Sequence, residues 1–146
     1  MVQRVKRAQV EVDSSVRASI DRGLLVLVGV EKGDAPADVE YISSKLTGLR
    51  IFEDDGGKMN LSVKEAGGSL LIVSQFTLLG DGRKGRRPSF GAAEEPEKAR
   101  ELYGDLIKAV RQAGITTESG AFQTCMEVGL VNDGPVTILL DSRRLF

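Results

Sequence analysis

Two apolar runs constrain the fold of this chain more than any other feature of its sequence. They are GLLVLVGV at residues 23–30 and SLLIV at residues 69–73. Successive side chains of a strand point to opposite faces, so a strand that is apolar at almost every position is buried on both faces. Neither run is long enough to cross a membrane as a helix. We therefore expect two buried central strands, the second extending through SQFTLL to residue 79.

Shorter periodic segments surround these two strands. Alternation of apolar and polar residues predicts further strands at residues 2–12, 16–20, 122–130 and 136–141. The first of them changes phase between Val5 and Ala8, which is typical of a β-bulge. The last two are joined by the turn sequence NDGP, so we expect the chain to end in a hairpin. A smaller hairpin is expected around the DDGG turn at residues 54–57.

Two segments carry apolar residues at helical spacing. The first predicts a helix at residues 36–47 with Asp34 as its N-cap, and the second predicts a helix from Glu94 to Gly114. Strand runs interrupted by only two helices indicate an α/β protein whose helices cover one side of a mixed β-sheet. At 146 residues the chain has the length of one average domain, so residues 1–146 are expected to form a single domain.

The sequence contains no histidine, which excludes several kinds of chemistry. Ser-His-Asp and Cys-His catalysis, HExxH zinc sites and imidazole acid–base catalysis all need that side chain. The single cysteine, Cys125, can form neither an internal disulfide nor a paired-thiolate metal site, which favours a reducing compartment. We expect no metal and no cofactor.

Charge and hydropathy limit the partners. With 20 Lys and Arg against 21 Asp and Glu, the formal net charge is -1, so binding to RNA or to anionic lipid would need a local basic patch. The N-terminal segment has no apolar core of signal-peptide length. We expect a cytoplasmic protein that does not contact the membrane.

The first candidate site is SQFT, in which Ser74, Gln75 and Thr77 interrupt an apolar strand. In the plain interpretation these side chains satisfy backbone groups at a strand end. In the functional interpretation they form the floor of a pocket. Thr77 could be a nucleophile there, but its hydroxyl would need a base, and without histidine only a lysine, a carboxylate or the substrate could serve.

The second candidate is NDGPVT at residues 132–137. As a plain turn it needs no function, because Asp-Gly and Gly-Pro pairs mark turns. Pro135, however, removes a ladder donor at the start of a strand, and the bond before it can be cis. Such a segment could present carbonyl groups in a fixed direction and so recognise a ligand.

The third candidate is a basic loop that contains Arg83, Lys84, Arg86 and Arg87. In the plain interpretation it is a solvated surface loop. Because it follows the SQFT segment directly, its cations could instead hold phosphates while Phe90 stacks on a base.

Taken together, these segments resemble the D-aminoacyl-tRNA deacylase family. The resemblance runs nearly end to end, through QRVKRAQVEV, GLLVLVGV, LRIFEDDGGKMN, SQFTL, RPSF and NDGPVT. SQFTL and NDGPVT in that order are highly specific as a pair. The sequence departs from the family at Gln123 and Thr124, where small residues are expected after Phe122.

The resemblance implies a homodimer with a three-layer α/β/β arrangement and an active site at each subunit interface. It implies that the Gly134-Pro135 bond is cis, that this pair enters the partner's pocket, and that Arg4 supports the orientation of its carbonyls. It also implies a pocket for the scissile ester and the terminal adenosine of charged tRNA, with the Phe76 N–H as oxyanion donor. This pocket is lined by Ser74, Gln75, Phe76 and Thr77.

The other positions carried over from the family form three groups. The substrate-binding group is Gly134, Pro135, Met126, Phe90 and Ser89. The supporting group is Arg4, Asn132 and Thr137. The RNA-contacting group is Arg83, Lys84, Arg86 and Arg87.

The activity implied is proofreading: hydrolysis of the ester between tRNA and a D-amino acid, or glycine mischarged on a non-cognate tRNA, with rejection of L-aminoacyl-tRNA. The resemblance also implies catalysis assisted by the 2′-hydroxyl of the terminal ribose, so the reaction can proceed without histidine. Two alternatives stand beside this hypothesis. One is the same reaction through a Thr77 nucleophile, and the other is a non-catalytic RNA-binding module that uses the basic loop.

Overall fold

A computed structural model describes residues 1–145, which form eight β-strands and two α-helices. In chain order these are β1 (Val2–Val12), β2 (Ser15–Ile20), β3 (Gly23–Val28), α1 (Pro36–Gly48), β4 (Phe52–Glu53), β5 (Met59–Leu61), β6 (Ser69–Ser74), α2 (Pro96–Gln112), β7 (Thr117–Ser119) and β8 (Glu127–Ile138). No helix in this range combines the length and the apolar character needed to cross a bilayer.

The main sheet is mixed, as predicted. β2 pairs antiparallel with residues 8–12 of β1 and β3 with residues 2–5, so they follow one another along one edge of β1, and β8 pairs with the other edge. β3 is parallel to β6, and β6 is parallel to β7. β4 and β5 form a separate hairpin around the DDGG turn, which confirms the smaller hairpin.

Two apolar cores give the chain its three layers. The first lies between the two helices and one face of the sheet, and it includes Leu46, Val110 and Ile72. The second contains residues of β1 and β2 together with residues of β3 and β6, among them Val10 and Leu71. β2 lies close to β6 without pairing with it, and residues of both strands meet in this second core. The α/β/β arrangement with two helices on one side is confirmed.

The two central strands are buried as the sequence predicts. Leu24 and Leu25 of β3 and Leu70 and Leu71 of β6 are all essentially inaccessible to solvent. Tyr103 of α2 donates a hydrogen bond of 2.7 Å to the carbonyl oxygen of Ile72 in β6. Burial raises the pKa of this phenol to about 12, so it stays neutral and fixes the helix to the strand.

Two local predictions are wrong. The strand expected at residues 69–79 ends at Ser74, and Phe76–Leu79 form a 3-10 turn instead. Asp34 does not cap α1: its carboxylate accepts from the Glu31 N–H at 2.8 Å. The N-cap is Ala35, whose N–H donates to the carboxylate of Asp38 at 2.8 Å. Asp38 lies in the first turn, where a carboxylate is also favoured by the helix dipole.

The expected C-terminal hairpin is also wrong. β8 is one strand from Glu127 to Ile138, and both of its ends pair with β1. Asn132 pairs with Val5 and Thr137 pairs with Gln3, so residues 133–136 lie opposite a single residue of β1. This bulge suits a segment in which proline has no N–H to donate to the ladder. The irregularity predicted in β1 between Val5 and Ala8 is confirmed by a register shift against β8 between Val5 and Arg7.

Candidate active site

The SQFT segment lies at the carboxyl end of β6, beside the end of its parallel neighbour β3. Ser74 pairs with Val28, and the Gln75 N–H donates to the carbonyl of Val28 at 2.7 Å. The chain then turns, with the Gly80 N–H donating to the carbonyl of Thr77 at 3.1 Å. Ligand sites of α/β proteins commonly lie beyond the carboxyl ends of parallel strands.

The amides of Phe76 and Thr77 open this turn. The first N–H groups of a helical turn have no acceptor within it. Neither amide donates to another backbone or side-chain acceptor of residues 1–145. The Phe76 side chain is 57% exposed, so the segment is open to solvent in the single chain. Two adjacent free N–H groups can hold an oxyanion.

The Thr77 hydroxyl has a single polar side-chain partner in the described part of the chain, the amide of Gln75. An amide does not take up a proton at neutral pH. The arrangement therefore supplies no general base to activate Thr77 as a nucleophile.

Three further predicted site residues lie near this turn. The rings of Phe76 and Phe90 meet edge to face with centroids 5.2 Å apart. Ser89 and Asp81 exchange backbone hydrogen bonds of 2.7 and 2.9 Å, which brings the basic loop back to the turn. Met126 lies beside the end of β6, because its sulfur and the Val73 side chain both face Gly120.

The four cations of the basic loop are not equivalent. Arg83 donates from Nε and Nη2 to the Asp81 carboxylate at 2.8 and 2.7 Å, and this pair holds the pKa of Asp81 well below its usual range. Lys84, Arg86 and Arg87 have no carboxylate within 4.0 Å among residues 1–145, and all three are exposed. These three charges are available to a ligand.

The second group of predicted residues surrounds the β8 bulge. The Gly134-Pro135 peptide bond is cis, and both residues are exposed. Arg4 is only 5% exposed. Its Nε donates to the carbonyl of Asp133 at 3.0 Å and its Nη1 donates to the carbonyl of Ile51 at 2.7 Å. Arg4 thus ties the bulge to the rest of the fold.

Side chains also close the bulge from within. The Val136 N–H donates to Oδ1 of Asn132 at 2.8 Å. The Thr137 hydroxyl donates to Oε1 of Gln3 at 2.6 Å, and the Asn132 amide donates to the same oxygen. Sequence reasoning missed Gln3. The sequence shows only that Gln3 precedes Arg4 in a strand. It does not show that β8 is the neighbouring strand, so the contacts of Gln3 with Asn132 and Thr137 could not be predicted.

The two groups do not meet within one chain. The strand order from the SQFT turn to the bulge is β6, β3, β1, β8, so two strands lie between them. At about 4.8 Å per strand the separation is about 14 Å before any displacement along the strands. Residues of the two groups are therefore not neighbours within one chain.

The two residues that depart from the family pattern lie after α2. Gln123 accepts a hydrogen bond of 3.0 Å from Arg100, whose guanidinium stacks on the Phe122 ring at 4.9 Å. The Thr124 hydroxyl donates to the carbonyl of Phe122 at 3.3 Å. Both side chains are exposed. Residues 1–145 contain no group of three or more Asp, Glu or Cys side chains placed to hold a metal ion.

Comparisons with known proteins agree with the motifs. The family model described as D-Tyr-tRNA(Tyr) deacylase matches residues 1–141. A protein of Koribacter versatilis called D-aminoacyl-tRNA deacylase is 57% identical over 146 residues, which is 100% of this chain and 98% of the relative. A protein of the same name from Anaeromyxobacter dehalogenans is also 57% identical, with the same coverage.

Solved structures share the fold. One described as c-Myc DNA Unwinding Element Binding Protein has a TM-score of 0.90 and 38% identity, and the match covers 96% of this chain and 95% of that one. Another, described as a probable eukaryotic D-amino acid tRNA deacylase, has a TM-score of 0.78 at 20% identity, covering 92% and 93%. The second likeness concerns the fold alone.

The fold and the relatives together define an enzyme, a hydrolase of aminoacyl-tRNA esters. The chain belongs to the D-Tyr-tRNA(Tyr) deacylase family. The resemblance stated from the sequence motifs is therefore confirmed.

Proposed function

We propose that this chain hydrolyses the ester between a D-amino acid and the 3′ end of tRNA, hydrolyses glycyl-tRNA as well, and spares L-aminoacyl-tRNA. Family membership supports the deacylase activity. The observation that carries the chemistry is the pair of free amides of Phe76 and Thr77 at the carboxyl end of β6. They suit the negatively charged oxygen that forms when water attacks an ester carbonyl.

The attacking water is activated by the substrate in this mechanism. The chain has no histidine, and among residues 1–145 the only side chain that hydrogen-bonds to the Thr77 hydroxyl is the amide of Gln75. The 2′-hydroxyl of the terminal ribose lies next to the 3′ ester and can position or activate the water. The protein then supplies orientation and oxyanion stabilisation, which backbone amides provide without any titrating side chain.

Selection against L-amino acids is assigned to the Gly134-Pro135 bulge of a second subunit. The distance between the two groups of residues within one chain supports an active homodimer with two shared sites. An L side chain would point into the carbonyls of the bulge, whereas a D side chain would point outward. A filter of this kind excludes by shape and so admits glycine. Met126, Phe90 and Ser89 border the same pocket.

Incubation with charged tRNA tests the function. The enzyme should deacylate D-tyrosyl-tRNA, D-alanyl-tRNA and glycyl-tRNA at equal enzyme concentration, while L-tyrosyl-tRNA and L-alanyl-tRNA persist as long as in buffer. A non-catalytic nucleic-acid-binding module would leave all five esters intact. Cleavage of D-alanyl-tRNA with survival of glycyl-tRNA would instead show that side-chain binding sets the specificity.

The free cations of the basic loop are proposed to contact the tRNA backbone. Each phosphate contact contributes about 0.7 to 0.9 to the slope of log affinity against log salt concentration. The triple variant Lys84→Ala, Arg86→Ala, Arg87→Ala should therefore bind tRNA more weakly and lower that slope by about 2. Filter binding at several salt concentrations measures both quantities, and the rate at saturating tRNA should be unchanged.

The Asp81–Arg83 pair offers a matched control in the same loop. The double variant Asp81→Asn, Arg83→Gln removes an internal ion pair without changing the net charge. Its salt slope should equal that of the wild type. If the triple variant also keeps the wild-type slope, the phosphate contacts lie elsewhere and the loop is a solvated surface.

A further inference from the structure

Gln3 contacts both ends of the Gly134-Pro135 bulge. In the register of β1 and β8 it pairs with Thr137, while Asn132 pairs with Val5. Its Oε1 accepts a hydrogen bond of 2.6 Å from the hydroxyl of its paired residue Thr137, and a second hydrogen bond from the Asn132 amide. One oxygen atom thus bridges the residues that enclose the bulge.

The bridge continues into the bulge itself. Oδ1 of Asn132 accepts a hydrogen bond of 2.8 Å from the Val136 N–H. By orienting the Asn132 amide, Gln3 therefore also holds Val136, the residue after Pro135. Arg4 holds the carbonyl of Asp133 at 3.0 Å. Adjacent side chains of a strand point to opposite faces, so Gln3 and Arg4 hold the bulge from two sides.

We propose that Gln3 is a positioning residue for chiral selection. It fixes the direction of the bulge carbonyls through Asn132 and Thr137 and does not itself touch the substrate. The inference rests on the proposed function, since it assigns the bulge to the rejection of L-aminoacyl esters. Residues 133–136 have no register partner in β1, so side-chain contacts help to hold the bulge in place.

Three single variants test the inference. Gln3→Met keeps the length of the side chain but removes the acceptor, whereas Gln3→Glu keeps acceptor oxygens. Gln9→Met is the matched control, because Gln9 is an exposed residue of the same strand whose side chain hydrogen-bonds only to Glu11 among residues 1–145. Gln3→Met should lower kcat for D-tyrosyl-tRNA about tenfold with KM nearly unchanged, since two hydrogen bonds that orient the bulge are lost.

Selectivity and rescue separate positioning from general stability. The ratio of D-tyrosyl-tRNA to L-tyrosyl-tRNA hydrolysis should fall in Gln3→Met and recover in Gln3→Glu, and Gln9→Met should match the wild type in both measurements. The proposal is overturned if Gln3→Met keeps the wild-type kcat and ratio, if Gln3→Glu gives no recovery, or if Gln9→Met shows the same loss.

Hydrogen exchange at the Val136 amide gives a readout that does not depend on activity. This amide should exchange faster in Gln3→Met than in the wild type and in Gln9→Met. A wild-type protein that fails to hydrolyse D-tyrosyl-tRNA would contradict the proposed function. The exchange rate at Val136 would then still test whether Gln3 holds the bulge through Asn132. Unchanged exchange at Val136 contradicts the bridge in either case.

Discussion

Subunits that carry Gly134→Ala should lose deacylase activity by at least about a hundredfold, because a displacement of about 1 Å in a positioning group can cost that much. Gly134 has a φ of +130°, where side chains are rarely accommodated, and an added Cβ would lie 2.8 Å from Cγ2 of Val136 and 3.1 Å from Nη2 of Arg4. The bulge must therefore shift. Initial rates with D-tyrosyl-tRNA measure the loss.

A glycine of the same strand provides the control. A Cβ at Gly129 would lie 3.6 Å from the Gln9 side chain, which is an ordinary contact. Gly129→Ala should therefore retain wild-type activity. Equal losses in the two variants would indicate general damage to β8, and full activity of Gly134→Ala would remove the bulge from the proposed site.

Mixed dimers test whether the site is shared. Phe76→Pro removes the proposed oxyanion donor at the first position of a helical turn, where proline is tolerated, and Phe76→Ala is its control with the N–H retained. A heterodimer of Gly134→Ala and Phe76→Pro subunits combines an intact turn with an intact bulge in one of its two sites. Purified heterodimers should regain activity that neither homodimer has. Inactive heterodimers would contradict shared sites.

The sequence predicts those parts of the fold whose patterns are local. Leu70 and Leu71 lie in a run that is apolar on both faces, and Leu106 and Val110 share a helical stripe, so the buried strand β6 and helix α2 follow from neighbouring residues alone. The end of β6 does not follow in this way. Leu78 and Leu79 extend the apolar run, but they line a cleft beside the helices and belong to a turn.

Non-local pairing explains why the prediction of a C-terminal hairpin failed. A turn sequence at residues 132–135 predicts a hairpin only if its flanking strands pair with each other, and here both flanks pair with β1 at the opposite end of the chain. Arg4 and Asp133 are 129 positions apart in sequence. No local pattern encodes that contact, and Gln3 was missed for the same reason. Family resemblance named Arg4, Asn132 and Thr137 because it carries information about position that periodicity lacks.

Replacing the terminal adenosine of the tRNA by 2′-deoxyadenosine should slow hydrolysis of the D-tyrosyl ester by at least about a hundredfold, within the range usual for the loss of acid–base assistance. The Thr77→Ala enzyme, in contrast, should keep its rate on ordinary D-tyrosyl-tRNA within about threefold, because no base hydrogen-bonds to that hydroxyl within residues 1–145. Single-turnover rates with saturating enzyme measure both effects.

Two controls make this comparison decisive for the mechanism. Spontaneous hydrolysis of each ester in buffer is subtracted, and competition binding establishes that the 2′-deoxy tRNA still occupies the site. Undiminished hydrolysis of the 2′-deoxy ester would contradict assistance by the substrate. A trapped acyl group on Thr77, or a Thr77→Ala enzyme that folds but is inactive, would show that Thr77 is the nucleophile after all. The structure argues against that outcome, because the Thr77 hydroxyl has only the Gln75 amide as a side-chain partner within residues 1–145.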